Sequence, residues 1–126
     1  MSLNLPLITI LITNYNKEKF IRSTIQSCKN QSYSNIETIV VDNCSTDDSI
    51  KVISKFKKIK LLHNIKKRTP ALNQINSIEM GVLKAKGEII CLLDGDDLFK
   101  KNKLEKIAKK FKADSNLKVI CDVPLI

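Results

Sequence analysis

The chain has 126 residues, a formal net charge of +9 and 43% hydrophobic residues, enough for one domain with its own core. Aromatic residues make up only 5%, and no basic stretch is interleaved with them, which argues against a stacking platform for nucleic acid. No apolar run approaches the roughly 20 residues of a membrane span, and no basic segment leads into an apolar one as in a secretory signal, so a cytoplasmic protein is expected.

In chain order, Leu7–Thr13 (LITILIT) is β-branched and almost wholly apolar, the pattern of a strand covered on both faces. Lys17–Lys29 follows, with Phe20, Ile21, Ile25 and Cys28 near helical spacing. Ile36–Val41 (IETIVV) reads as a second strand, closed by Asp42. Ser45 or Thr46 is placed to cap the next helix, with Asp47 and Asp48 as partners of its dipole and Ile50, Ile53 and Phe56 on its apolar face. Ile59–Leu62 makes a short third strand. Thr69 and Pro70 read as cap and first helical residue, and that helix is expected to run to about Lys86, where Gly87 stops it. Glu88–Leu93 (EIICLL) is a fourth buried strand ending at Asp94. Lys103–Lys112 is helical, with Leu104, Ile107, Ala108 and Phe111 on one face, and Leu117–Cys121 reads as a last strand.

This alternation predicts a single α/β domain: a doubly wound, mostly parallel sheet with helices on both faces. Right-handed crossovers favour the order 3-2-1-4, with the last strand near the fourth. Cys28, Cys44, Cys91 and Cys121 form no CxxC pair and match no zinc spacing, so they read as buried thiols of a reducing compartment. The lysines of the last helix read as a solvated face, with peripheral membrane association as the alternative.

In such sheets ligands bind beyond the carboxyl ends of the strands, where the winding reverses. Three polar sets leave the predicted strands at that edge: Thr13, Asn14 and Tyr15; Asp42 and Asn43; Asp94, Asp96 and Asp97. An acidic turn is commonly only a solvated loop. Here it follows an apolar strand, and Gly95 allows the bend that would turn Asp94 and Asp96 toward one hard cation. Neither GxGxxG after the first strand nor GxxxxGK[ST] anywhere is present, so side chains and metal would have to hold any nucleotide phosphates. Arg68, just ahead of the Thr69–Pro70 helix start, is either an anion partner or a solvated member of the run Lys66–Arg68.

The stretches ITILITNYNKEKFIRSTIQSCKNQSYSNIETIVVDNCSTDDS and AKGEIICLLDGDDLF resemble the nucleotide-binding half of family 2 glycosyltransferases with the GT-A fold. The likeness runs from about Leu7 to Ile120. It rests on the combination of T-x-Y-N, Q-x-Y, VVD-x-x-ST-D, A-x-GE and LD-x-DD, each weak by itself. The resemblance implies inverting transfer of a sugar from a nucleotide diphosphate, commonly a UDP-sugar, with Mg²⁺ or Mn²⁺. The acceptor would be a saccharide or a lipid-linked one, in surface polysaccharide or lipopolysaccharide synthesis.

Carried over by position, Thr13 and Tyr15 would line the base and ribose pocket, Asp94 would approach ribose or diphosphate, and Asp96 would be the principal metal ligand. Arg68 matches a basic position that reaches the nucleotide in some members. Where the family commonly has an aspartate accepting from uracil, this chain has Asn43, whose amide can present either its oxygen or its NH₂ group. The carboxylate base that activates the acceptor hydroxyl has no counterpart here: Glu105 lies among lysines, and Asp114 and Asp122 lack a motif. The expectation is therefore residues 1–126 as the donor-binding domain of a longer enzyme, with a catalytically incomplete nucleotide-sugar-binding module as the alternative. A receiver-like signalling domain is disfavoured, because the carboxylates follow strands two and four.

Overall fold

The computed structural model describes residues 4–65 and 68–121. Lys66, Lys67 and Asp122, considered above, lie outside the described residues. Four strands, β1 (Ile8–Asn14), β2 (Ile36–Asp42), β3 (Ile59–His63) and β4 (Ile89–Asp94), form one sheet in the order β3-β2-β1-β4. Every pairing is parallel. Helices α1 (Ile21–Lys29), α2 (Ser49–Ile53), α3 (Pro70–Lys84) and α4 (Lys103–Ala113) make the connections.

Side-chain alternation along the strands builds a core on each face. Ile8, Ile10 and Ile12 of β1 join Val40, Cys91 and Leu93 on one face, where Ile21 and Ile25 of α1, Ile53 of α2 and Leu104 of α4 cover them. On the other, Leu11, Ile39 and Val41 meet Ile78 and Met80 of α3. All seven residues of β1 are buried, as its almost unbroken apolar run requires. Phe56 packs against the first core from beyond the end of α2, and the Arg22 guanidinium lies 5.9 Å from its ring centre.

β4 is an edge strand. Ile90 and Leu92 point to the α3 side of the sheet and stay exposed, at 37% and 55%. The expected last strand is absent: residues 117–121 run irregularly, with Val119 71% exposed. A β-prone sequence makes no strand without a hydrogen-bonded neighbour, and among the described residues none is paired to it. α1 begins at Ile21, after a turn over residues 18–20, and α2 begins at Ser49, with no side-chain cap from Ser45 or Thr46.

The start of α3 is as expected, with Thr69 Oγ1 accepting from the Leu72 N–H and Pro70 in the first turn. Its end is not. The helix stops at Lys84, and the Ala85 N–H bonds back to the carbonyls of Gly81 and Val82. Gly87 serves a different purpose, donating its N–H to Thr9 Oγ1 at 2.9 Å, where a Cβ would come within 2.6 Å of the Thr9 nitrogen. No described cysteine is in a disulfide; Cys28 and Cys91 are buried, whereas Cys44 is half-buried and Cys121 exposed. Burial pushes the Cys28 thiol up to about 12 and that of Cys91 to about 11, which leaves both inert.

Candidate nucleotide and metal site

Strand register brings the polar residues together. Thr13 pairs with Asp94 across β1 and β4, and Asn14 pairs with Asp42 across β1 and β2. Asp42 is buried and committed to structure: its carboxylate accepts from Asn14 Nδ2 at 2.9 Å, Ser45 Oγ at 2.6 Å and the Ser45 N–H at 2.9 Å. Asn16, at φ 50°, stitches the loops after β1 and β2 by accepting the Thr46 N–H at 2.7 Å. Asp47 takes the Glu18 and Ser49 N–H groups, so it braces the same junction.

After β4 the chain turns at Gly95, whose N–H donates to the Thr13 carbonyl at 2.9 Å and whose own carbonyl accepts from Thr24 Oγ1 at 2.9 Å. A Cβ there would approach Asn14 Oδ1 to 2.9 Å and the Thr13 carbonyl to 3.1 Å, so this closeness requires glycine. The turn collects Asp94, Asp96 and Asp97, each offering a carboxylate oxygen within 4.8 Å of the others. Three hard oxygen donors in that span suit a divalent cation such as Mg²⁺ or Mn²⁺ after small side-chain rotations. Burial, then the neighbouring Asp96 and Asp94 charges, raise the Asp97 carboxyl above its usual range, with Lys17 partly opposing them.

A cleft of about 180 Å³ opens at this edge, and Thr13, Tyr15, Asn43, Asp94 and Asp96 all line it. Arg68 does not; it is exposed ahead of α3, its backbone tied to the Asn73 side chain. A broader depression of about 460 Å³ lies beside Ser27, Asn30, Phe99 and Lys101, with no carboxylate in its lining. Glu105 lines neither, accepting from Ser32 Oγ at 2.8 Å and paired with Lys109 at 3.4 Å.

Sequence reasoning missed several contributors. Gln74 of α3 donates to Thr13 Oγ1 at 3.0 Å and to Asp94 Oδ1 at 3.4 Å, and Lys17 Nζ lies 3.0 Å from Asp96 Oδ2. Both line the cleft. Asn64, just past β3, and Ser77 of α3 are buried and both donate to Asn43 Oδ1, Asn64 at 3.0 Å. Asp42 and Asp94 directly follow the apolar runs of their strands, but His63 separates Asn64 from the Leu61–Leu62 pair, so the same signal was blurred there. The helical residues carried none.

Residues 9–126 match the model of the family described as glycosyl transferase family 2. An uncharacterized glycosyltransferase of Haemophilus influenzae is 42% identical over 108 residues, which cover 82% of this chain and 42% of that protein. The chain therefore spans less than half the length of that relative. Among solved structures, S. aureus TarS 1–349 in complex with UDP superposes with a TM-score of 0.72 at 24% identity, covering 85% of this chain and 32% of TarS. A mannosyltransferase from Pyrobaculum calidifontis in complex with GDP-Man and Mn²⁺ gives a TM-score of 0.74 at 24% identity, covering 86% of this chain and 33% of that one. The shared fold is GT-A.

Proposed function

Because the chain belongs to glycosyl transferase family 2, we propose that residues 1–126 are the donor-binding domain of an enzyme that transfers a sugar from a nucleotide diphosphate. The observation that carries this reading is the convergence of Asp94, Asp96 and Asp97 beside a cleft also lined by Thr13, Tyr15 and Asn43. Carboxylates beside a diphosphate repel it unless a cation lies between them. A bound Mg²⁺ or Mn²⁺ would supply that bridge and stabilise charge on the departing nucleotide. The Mn²⁺ in the mannosyltransferase structure and the UDP in TarS support this reading, and a UDP-sugar is the donor that the resemblance implies.

In this reading Asp96 is the principal metal ligand and Asp94 reaches the ribose or diphosphate, held in place by Thr13 Oγ1 at 3.3 Å. The Tyr15 ring, 56% exposed in the cleft's lining, offers a face for the base. Arg68, exposed just ahead of α3 and outside the cleft's lining, adds positive charge that a nucleotide would have to reach. The reaction is inverting, and its base and its saccharide or lipid-linked acceptor belong to a further part of the enzyme. The product is surface polysaccharide or lipopolysaccharide made at the cytoplasmic side, with the lysines of α4 available to acidic lipid. Among the described residues no helix is long and apolar enough to cross a membrane.

Calorimetric titration with UDP, with and without Mn²⁺, tests the site. Measurable binding is expected only with the metal, and Asp96→Ala should abolish it while unfolding stays within about 0.5 kcal/mol of wild type, as for an exposed loop side chain. Equal UDP affinity with and without Mn²⁺, or an Asp96→Ala chain that binds as wild type does, would remove the metal role. Sugar transfer by the longer enzyme would separate catalysis from a binding module.

A further inference from the structure

The acidic turn is held from α1 as well as from β1. Thr24, fully buried on α1, has its Oγ1 2.9 Å from the Gly95 carbonyl and 3.3 Å from that of Phe20. A helical threonine commonly returns its hydroxyl to the carbonyl four residues back. Here the Phe20 carbonyl already takes the Thr24 N–H at 3.1 Å, and Gly95 is the nearer acceptor, so the single hydroxyl proton goes to the turn. Further along, Ser27 Oγ accepts the Phe99 N–H at 3.2 Å. Just past α1, Gln31 donates to the Lys100 carbonyl at 2.7 Å and accepts the Leu104 N–H at 3.0 Å. Asp96, Asp97 and Leu98 are thus strung between two points, Gly95 and Phe99, that are both fastened to α1.

We infer that Thr24 is a positioning residue for the cation site: its hydroxyl aims Asp96 by fixing the peptide that joins Gly95 to Asp96. The inference rests on the proposed reading of the acidic turn as a Mg²⁺ or Mn²⁺ site. A peptide unit is planar, so holding the Gly95 carbonyl also sets where the Asp96 nitrogen and Cα lie. The Gly95 N–H, bonded to the Thr13 carbonyl at 2.9 Å, holds the preceding unit. Without both ties a glycine junction is free to swing. The opposing force is electrostatic. Asp94, Asp96 and Asp97 hold carboxylate oxygens within 4.8 Å of one another, and their like charges push the turn open until a cation arrives. An anchor that resists this push keeps the donors gathered, so less is reorganised on binding. Thr24 acts through Asp96 alone, being fully buried and not among the residues that line the cleft.

Calorimetric titration of Mn²⁺ in the presence of UDP tests this on the wild-type chain, Thr24→Val, Thr24→Ser and Ile25→Val. Each is titrated well below its unfolding transition, where a loss of stability alone leaves the midpoint unmoved. Valine keeps the shape and removes the donor, and should raise the half-saturating Mn²⁺ concentration about tenfold, the lower end of what losing an outer partner of a metal ligand costs. Serine restores the donor and should return the midpoint to near the wild-type value. Ile25→Val trims a neighbouring core residue of the same helix and should leave the midpoint where it is. Thr24→Ala carries the test if the valine variant does not fold. An unmoved midpoint without the hydroxyl, a serine variant as weak as valine, or an equal shift in Ile25→Val overturns the inference while leaving the cation site standing. No Mn²⁺ binding by the wild-type chain overturns the cation reading itself, and the inference with it.

Discussion

Lys17 already serves Asp96 as a cation, at 3.0 Å, with the two side chains 39% and 38% exposed. A divalent ion arriving at Asp96 must displace that ammonium. An exposed pair of this kind is worth about 0.2–1 kcal/mol, so the displacement costs little but measurably. Lys17→Gln should tighten Mn²⁺ binding without nucleotide by about two- to fivefold, read by a direct Mn²⁺ titration; unchanged or weaker binding would mean that the lysine does not compete. Residues of this kind were hard to read from the chain. Asp96 stood out because it interrupts an apolar-to-loop transition with like charges, whereas Lys17 is one of many lysines and only the fold shows which carboxylate it meets. The ambiguity at Asn43 had the same origin. Its own identity permits two polarities, and the choice is made by Asn64 and Ser77, which come from other elements.

α3 lies so close to β1 that a Cβ on Gly81 would stand 2.1 Å from Leu11 Cδ1 and 2.9 Å from its Cγ. Leu11 is fully buried under Ile78 and Met80, so it has nowhere to swing. Alanine would improve helix propensity by about 1 kcal/mol, but overpacking of this kind costs about 1–3 kcal/mol. Gly81→Ala should therefore be destabilising or at best neutral, seen as a lower urea midpoint at unchanged slope, and a raised midpoint would contradict the packing. The same substitution should weaken nucleotide binding, since α3 also carries Gln74 and Ser77 into the site. At this scale much was legible: four strands and their order follow from apolar runs separated by helical patterns. What failed were features that depend on neighbours. Leu117–Cys121 has strand composition but no partner, and Gly87 is a glycine because Thr9 crowds it, whereas the helix had already stopped.

Over the whole molecule, acid should act through carboxylates that fasten distant segments. Burial would raise the Glu37 carboxyl, but the Lys86 N–H, the Thr9 hydroxyl and the charges of Lys60 and Lys86 outweigh it and hold the group below its ordinary 4.5. Asp47 is likewise held below its usual 3.8, burial being outweighed by the Ser49 hydroxyl and by the N–H groups of Ser49 and Glu18. A carboxyl depressed by folding adds stability above its unfolded value and loses it as pH falls through the folded one. Stability should therefore be flat near neutrality and decline below about 4.5, with a shallower decline in Glu37→Gln. Urea unfolding at several pH values measures this, and parallel curves for the two proteins would exclude Glu37. These ties were invisible in the sequence because Glu37 sits in an otherwise apolar strand and Lys86 lies far along the chain. The open side of β4 has a different kind of consequence. Among the described residues the outer edge of β4 has no paired strand, and with Ile90 and Leu92 exposed a second copy of residues 1–126 would find a template there on which to add a strand. The charge of +9 holds copies apart, and that repulsion is screened over about 8 Å at physiological salt. Colloidal stability and folding stability thus answer to different variables in this chain, and added salt would precipitate a molecule whose fold it leaves intact.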